Sequence, residues 1–226
     1  MPALFEVRVP GGADAGEQFG RLDVLVSNAG TGTISPLADL RVEERDQMVD
    51  VNVKGVLHGI GAALPVFRAQ GTGHFITTAS TAAFRIVPAM AVYAGTKFAV
   101  RAICEGLRQE AGDSLRVTTV SPGPVATDFA EASTNPQVRA QVTEMRDRIA
   151  IPPEAIARAI AFAIEQPATV DVNEIVVRPT SQNRPQNNFR QPRIVLQEYD
   201  PARSPQLPLF PWKIARQTAP IGTPRW

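Results

Sequence analysis

The first 180 residues alternate between short apolar runs rich in β-branched residues and longer stretches in which apolar positions recur with a helical period. Apolar residues at 49, 53, 56, 57, 60, 64 and 67, for example, keep one face of a helix apolar. Such alternation is typical of a parallel sheet covered by helices. The pattern predicts strands over 22–27, 74–79, 115–120 and 173–178, helices over about 42–70, 91–111 and 153–165, and a loosely structured stretch over 128–150.

The chain changes character near residue 180. Of its 20 prolines, 8 lie in residues 181–226, among Gln, Asn and Arg residues without apolar periodicity. Such a segment is not expected to build a helix or a central strand. We therefore predict an α/β domain over 1–180 and an irregular Pro-, Arg- and Gln-rich extension over 181–226.

Composition and charge exclude several classes of protein. Lys and Arg total 23 and Asp and Glu 22, so the net charge of +1 favours neither a nucleic-acid nor a membrane partner. The single cysteine, Cys104, excludes an intrachain disulfide, and with only two histidines the chain offers few metal ligands, so we predict no metal site. Because no apolar run approaches about 20 residues and no signal-peptide pattern opens the chain, a cytoplasmic location is expected.

Polar and glycine residues follow three of the predicted strands. Asn28-Ala29-Gly30 follows the first strand, Ser80 the second and Pro122-Gly123 the third. In open α/β sheets, ligands bind beyond the carboxyl ends of the strands. These residues therefore mark a candidate site, although turn chemistry alone also explains a serine such as Ser80.

Tyr93 and Lys97 are four residues apart on a predicted helix, so their side chains share one face. A phenol that acts near pH 7 must have its pKa lowered by about three units, or roughly 4 kcal/mol. An ammonium about 4 Å away at an effective dielectric constant of about 20 supplies that much. We therefore expect Lys97 to lower the pKa of Tyr93, although the same spacing also fits an ordinary amphipathic pair.

Five motifs occur in an order and spacing that resembles the classical short-chain dehydrogenases/reductases, over about residues 19–180. They are Asn28-Ala29-Gly30, Asn52 within 51–55, Ser80, Tyr93-Ala94-Gly95-Thr96-Lys97, and Pro122-Gly123-Pro124-Val125-Ala126-Thr127. The resemblance implies a Rossmann-like, doubly wound parallel sheet. It also implies a nicotinamide cofactor, NADP or NAD, with NADP favoured by likeness to carbonyl-reducing members.

The resemblance assigns a role to each candidate catalytic residue. Tyr93 would be the general acid for carbonyl reduction and the base for alcohol oxidation. Lys97 would lower the pKa of Tyr93 and hold the nicotinamide ribose. Ser80 would orient the substrate oxygen, and Asn52 would anchor a water that relays protons.

The remaining motif residues would bind the cofactor together with Tyr93 and Lys97. Asn28, Ala29 and Gly30 match the segment beside the adenosine half of the dinucleotide. The loop that would position the nicotinamide carboxamide comprises Pro122, Gly123, Val125 and Thr127.

The N-terminal part is shorter than the resemblance requires. Only 27 residues precede Asn28, too few for two βα units, so we expect an N-terminally truncated fold that lacks the glycine-rich phosphate turn. The glycines at 11, 12 and 16 lack the βαβ frame of a phosphate loop. The strand over 22–27 would then present an open edge, to be covered by 4–9, by the extension or by a second subunit.

The sequence thus predicts an oxidoreductase that interconverts a secondary alcohol and a ketone or related carbonyl. Its substrate is expected to be a small molecule, with a pocket walled by 81–92 and 128–150, and a homo-oligomer is expected by resemblance. The alternative is a non-catalytic remnant with impaired cofactor binding that dimerises through the helices at 42–70 and 91–111. A nucleic-acid binder that uses the arginines of the extension is the least favoured function, because the body is acidic.

Overall fold

A computed structural model describes residues 19–129, 133 and 135–182, and the backbone of 194–198 and 212–216. The chain divides into two compact units, Met1–Gln182 and Asn183–Trp226. The N-terminal segments 4–9 and 11–16, for which the sequence analysis considers an added strand and a phosphate loop, lie outside the described residues.

The first unit contains a four-stranded parallel sheet in the order β1-β2-β3-β4. Its register aligns Leu25 with Phe75, and Phe75 with Val117, across the first three strands. This parallel sheet confirms the predicted α/β fold. The strands are β1 (Val24–Ser27), β2 (Gly73–Thr78), β3 (Leu115–Pro122) and β4 (Glu174–Val177).

Five α-helices accompany the sheet among the described residues. The stretch predicted as one helix over 42–70 contains a π-helical turn, Asp50–Lys54, between two α-helices, and Gly71 ends the second of them in the left-handed region, with φ of 69°. None of the described helices is long and apolar enough to cross a membrane. The helices are α1 (Val42–Val49), α2 (Gly55–Gln70), α3 (Ala91–Ala111), α4 (Pro136–Ile149) and α5 (Pro153–Ile164).

The core lies on both faces of the sheet. Helices α2 and α3 cover one face, where Phe67 and Phe75 meet edge to face with ring centroids 4.8 Å apart. A Cβ on Gly73 would lie 2.1 Å from the Phe67 ring, so only glycine fits at the start of β2. On the other face, Ile156 of α5 packs against the buried Ile76 and Val120.

Helix α4 corrects the prediction of a loosely structured stretch over 128–150. It begins where the side chain of Asn135 accepts hydrogen bonds from the backbone N–H groups of Gln137 and Val138, with Pro136 in the first turn. The helix buries none of its residues. Because burial is what imposes an apolar period on a sequence, α4 carries no such signal.

The second unit contains a ladder that the sequence analysis does not predict. Strand β5 (Ile194–Glu198) pairs antiparallel with β6 (Trp212–Arg216), with Leu196 opposite Ile214. At these ten positions the extension forms regular β-structure, and not the irregular structure that the sequence predicts. Both strands are edge strands that contain no proline, so the proline-rich composition around them is compatible with the pairing.

His74 is a buried histidine in β2 with an exposed fraction of 1%. Its Nε2 lies 2.8 Å from the hydroxyl of Thr118, and its Nδ1 has no partner among the described residues. Burial, assisted by the charge of Arg116, lowers the pKa of His74 to about 4. The folded protein therefore binds this proton less readily than the unfolded chain does.

We predict that His74 makes the protein acid-sensitive. As pH falls from about 6.5 to about 4, the unfolded chain binds a proton that the folded chain does not, so the free energy of unfolding falls by about 3 kcal/mol. Urea denaturation across this range should show a smaller decline in His74→Gln than in the wild type. The matched variant His58→Gln, which changes an exposed histidine, should decline as the wild type does. Equal declines in His74→Gln and wild type would contradict the assignment.

Candidate active site

The candidate residues converge where β2 ends and α3 begins. Ser80 follows β2 directly, and Tyr93 and Lys97 lie in the first two turns of α3. Asn52 reaches the same region from the π-helical turn between α1 and α2. The structure therefore brings together the four residues that the sequence analysis proposed as catalytic.

Tyr93 and Ser80 are joined by a hydrogen bond between their hydroxyl groups. The Ser80 oxygen also accepts a hydrogen bond of 3.1 Å from the backbone N–H of Ala82, which caps a short 3₁₀ turn over Thr81–Ala83. This second contact fixes the serine hydroxyl in place. The two hydroxyls thus form a pre-positioned pair that can share one substrate oxygen.

The prediction that the pKa of Tyr93 is lowered is wrong. Burial raises the pKa of Tyr93, and the Ser80 hydrogen bond opposes that rise in part. The Lys97 ammonium lies 6.0 Å from the centroid of the Tyr93 ring, and it is not among the groups that shift the pKa of the phenol. The cost of removing a phenolate from water has the largest influence on the pKa of Tyr93, and this cost cannot be read from the spacing of two residues.

Lys97 is buried, with an exposed fraction of 5%, and its ammonium donates a 2.9 Å hydrogen bond to the carbonyl of Thr78. Burial lowers the pKa of Lys97 to about 8. Gly30 lies against this ammonium, since a Cβ on Gly30 would be 3.5 Å from Nζ and 3.3 Å from Oδ1 of Asn52. A side chain at position 30 would therefore narrow the approach to the lysine.

Asn52 connects the loop after β1 to α3. Its Nδ2 donates to the carbonyl of Thr31 at 2.8 Å and to the hydroxyl of Thr96 at 3.0 Å, while its Oδ1 accepts from the N–H of Thr31 at 2.8 Å. The Thr96 hydroxyl in turn donates to the carbonyl of Tyr93 at 2.7 Å. The amide of Asn52, with an exposed fraction of 1%, thus fixes the distance between Gly30 and the Tyr93 helix.

The residues proposed to bind a cofactor lie in two segments. Asn28, Ala29 and Gly30 are exposed at the end of β1, beside the Lys97 ammonium. The second segment follows β3, where Pro122, Gly123 and Val125 are half-buried and Thr127 is exposed. A Cβ on Gly123 would lie 2.7 Å from Oε1 of Gln182 and 3.1 Å from Pro179, so the backbone is closely approached there.

Two functional contacts escaped the sequence analysis. Thr78 donates from its hydroxyl to Oδ1 of Asn28 at 2.9 Å, and its carbonyl holds Lys97. The register that pairs Ser27 with Thr77 brings Asn28 and Thr78 to the same sheet edge, so a strand alignment could have found this pair. No strand register predicts the contact between Phe129 and Tyr93, because it joins a loop to a helix.

Comparisons with known proteins place these residues in a family context. The family model described as short chain dehydrogenase matches residues 12–138. An uncharacterized oxidoreductase of Staphylococcus saprophyticus is 48% identical over 168 residues, which are 73% of this chain and 68% of that protein.

Solved structures give a similar result. An alcohol dehydrogenase from the archaeon Thermococcus sibiricus, complexed with 5-hydroxy-NADP, has a TM-score of 0.65 and 30% identity over 75% of this chain and 68% of its own. A 3-ketoacyl-(acyl-carrier-protein) reductase from Brucella melitensis, complexed with NADH, has a TM-score of 0.62 and 28% identity over 73% of this chain and 69% of its own.

We predict that Asn52 stabilises the site scaffold measurably. Asn52→Ala leaves the N–H and carbonyl of Thr31 and the hydroxyl of Thr96 without their buried partner, so the free energy of unfolding should fall by about 3 kcal/mol. Asn28→Ala removes an exposed amide with one hydrogen bond and should cost less than about 1 kcal/mol. Urea denaturation measures both, and equal losses in the two variants would contradict the buried role of Asn52.

Proposed function

Because this chain belongs to the short-chain dehydrogenase family of oxidoreductases, we propose that it interconverts a secondary alcohol and a ketone, or a related carbonyl, with a nicotinamide cofactor. The observation that carries the proposal is the hydrogen-bonded pair of Tyr93 and Ser80 beside the buried ammonium of Lys97. A hydroxyl pair next to a cation suits proton exchange with a substrate oxygen.

In the proposed reduction, the phenol of Tyr93 gives its proton to the carbonyl oxygen. The raised pKa keeps this phenol protonated at neutral pH, so it is ready to act as an acid. The Ser80 hydroxyl donates a hydrogen bond to the same oxygen and holds it beside the phenol. A bound nicotinamide would supply or accept the hydride at the carbonyl carbon. In the oxidation direction, the Tyr93 oxygen takes the hydroxyl proton back.

Lys97 supports this proton exchange in the proposal. With a pKa of about 8, its side chain is mostly protonated at neutral pH and stabilises negative charge that develops on the phenol oxygen. One of its three N–H donors is used by the carbonyl of Thr78, which leaves two for the ribose hydroxyls of a cofactor. Asn52 has both amide hydrogens occupied, so the free lone pair of its Oδ1 is the position available to a relay water.

The residues present fit part of a nicotinamide dinucleotide. The exposed backbone of 28–30 borders the Lys97 ammonium without an intervening Cβ at Gly30, and Pro122, Gly123, Val125 and Thr127 follow the neighbouring strand. The two similar solved structures are complexes with 5-hydroxy-NADP and with NADH, and both support a nicotinamide dinucleotide. Our preference for NADP over NAD rests on likeness to carbonyl-reducing members of the family.

We further propose a homo-oligomer that pairs the outer faces of α2 and α3. Leu57 and Val66 on α2 and Phe98 on α3 are 47%, 40% and 40% exposed, so both helices carry apolar side chains that a second subunit could bury. Sedimentation equilibrium should give a mass above that of one chain, and Leu57→Glu should shift it toward the monomer. A monomeric wild type, or an unchanged mass in the variant, would contradict this interface.

We predict that Tyr93→Phe abolishes most of the activity and preserves the fold. The variant keeps the aromatic ring and loses the proton donor, so kcat for ethyl acetoacetate or cyclohexanone should fall by about 100-fold to 10,000-fold. Fluorescence titration with NADPH and NADH should give the same affinity as the wild type. The matched variant Tyr199→Phe, which changes the second of the two tyrosines in the chain, should keep full activity.

Two outcomes would count against this function. Unchanged turnover in Tyr93→Phe would exclude Tyr93 as the proton donor. Absence of both NADPH and NADH binding at millimolar concentration would instead favour a non-catalytic protein that acts through its helical surfaces.

A further inference from the structure

The ring of Phe129 covers one side of Tyr93. The two rings meet edge to face, with centroids 5.1 Å apart and an interplanar angle of 65°. Tyr93 itself retains an exposed fraction of only 8%. Phe129 therefore lies beside the residue that would exchange a proton with the substrate.

Gly32 provides the surface on which the Phe129 ring rests. A Cβ on Gly32 would lie 2.0 Å from both Cε2 and Cζ of the ring. That distance is far inside van der Waals contact, so the ring packs directly against the backbone of a buried glycine. The position of the ring depends on the absence of a side chain at residue 32.

The surroundings of the ring are apolar. Met48, Ala82 and Ala94 are buried in the same cluster as Tyr93, and Met90 and Val92 pack against it together with Phe129. A substituent on a substrate carbonyl that faces the partly exposed members of this cluster, Met90, Val92 and Phe129, meets hydrocarbon and aromatic surface. The cluster favours an apolar substituent and offers it no ion pair.

The loop that carries Gly32 is also fastened at other points. The hydroxyl of Ser133 donates to the carbonyl of Ile34 at 2.7 Å, and the side chain of Asn135 donates to Asp39 at 2.9 Å. Residues on the C-terminal side of Phe129 are therefore attached to the same loop on which its ring rests.

We propose that Phe129, packed on Gly32, is a specificity-determining wall that limits the substrate to carbonyl compounds with a small apolar group on the side of the Phe129 ring. This inference rests on the proposed function, because it concerns the substrate of the same site. A bulky group on that side meets the ring, and the ring has no room to retreat toward Gly32.

The experiment compares Phe129→Ala, Gly32→Ala and the double variant with two ketones, 2-butanone and 4-heptanone, in the presence of NADPH or NADH. Phe129→Ala should raise the ratio of kcat/KM for 4-heptanone to that for 2-butanone by at least about tenfold. Phe162→Ala, which removes an aromatic ring that is 54% exposed on α5, should leave the ratio unchanged.

The Gly32→Ala variants test whether the Phe129 ring controls the ratio of kcat/KM through its contact with residue 32. A Cβ at this position collides with the ring in the wild type, and truncation of the ring to alanine removes that collision. Gly32→Ala should therefore change the ratio by about threefold or more in the wild type and by less than about twofold in the Phe129→Ala background. Equal effects of Gly32→Ala in the two backgrounds would overturn the proposed contact.

A second readout does not require activity. In a Tyr199→Phe background Tyr93 is the one remaining tyrosine, so the phenolate absorbance measured against pH reports the titration of Tyr93 alone. All variants retain the nearby Ser80 hydroxyl and Lys97 ammonium. Because burial is the main cause of the raised pKa of Tyr93, Phe129→Ala should lower the titration midpoint by about one unit. Phe162→Ala should not move it.

These experiments distinguish failure of the proposed function from failure of the proposed role of Phe129. A wild type that reduces neither ketone counts against the proposed function, and the titration midpoint then still shows whether Phe129 covers Tyr93. A substrate ratio that stays the same in an active Phe129→Ala variant overturns the wall, and so does an unchanged midpoint.

Discussion

The buried amide of Asn52 is the contact on which the rest of the site depends. It holds both backbone groups of Thr31 and the hydroxyl of Thr96, and Thr96 in turn holds the carbonyl of Tyr93. One side chain therefore sets the spacing between the loop after β1 and the helix that carries the phenol and the ammonium. The π-helical turn over Asp50–Lys54 belongs to this constraint, because it is the element that presents Asn52.

Burial sets the protonation states within that frame. Removal from water raises the pKa of Tyr93 and lowers that of Lys97, so it favours the neutral form of each side chain. A neutral phenol suits donation of a proton to a carbonyl. The reverse reaction requires negative charge on the phenol oxygen. The Ser80 hydrogen bond favours that charge, but burial disfavours it more strongly. These protonation states fit the proposed reduction more readily than the proposed oxidation at neutral pH.

Much of the fold could be predicted from the sequence, because its strands and its largest helices bury an apolar face. Helix α4 could not, since it buries none of its residues and leaves only the Asn135-Pro136 start signal. The Tyr93–Lys97 pair is visible as a four-residue spacing on one helix. The Phe129–Gly32 contact is not visible, because it joins two loops whose approach depends on the whole sheet. The tyrosine pKa was predicted with the wrong sign, since charge can be read from a sequence and burial at one atom cannot.

In the proposed reaction, the Tyr93 and Ser80 hydroxyls hold a carbonyl oxygen while hydride reaches its carbon. A direct test is to incubate the protein and a Ser80→Ala variant with cyclohexanone and reduced cofactor that carries deuterium at both C4 positions of the nicotinamide, followed by mass spectrometry of the cyclohexanol. The wild type should transfer deuterium to the carbonyl carbon, and Ser80→Ala should transfer it at least about 100-fold more slowly. Deuterium transfer at equal rates in the two proteins, or cyclohexanol without deuterium, would contradict the proposed roles of these hydroxyls.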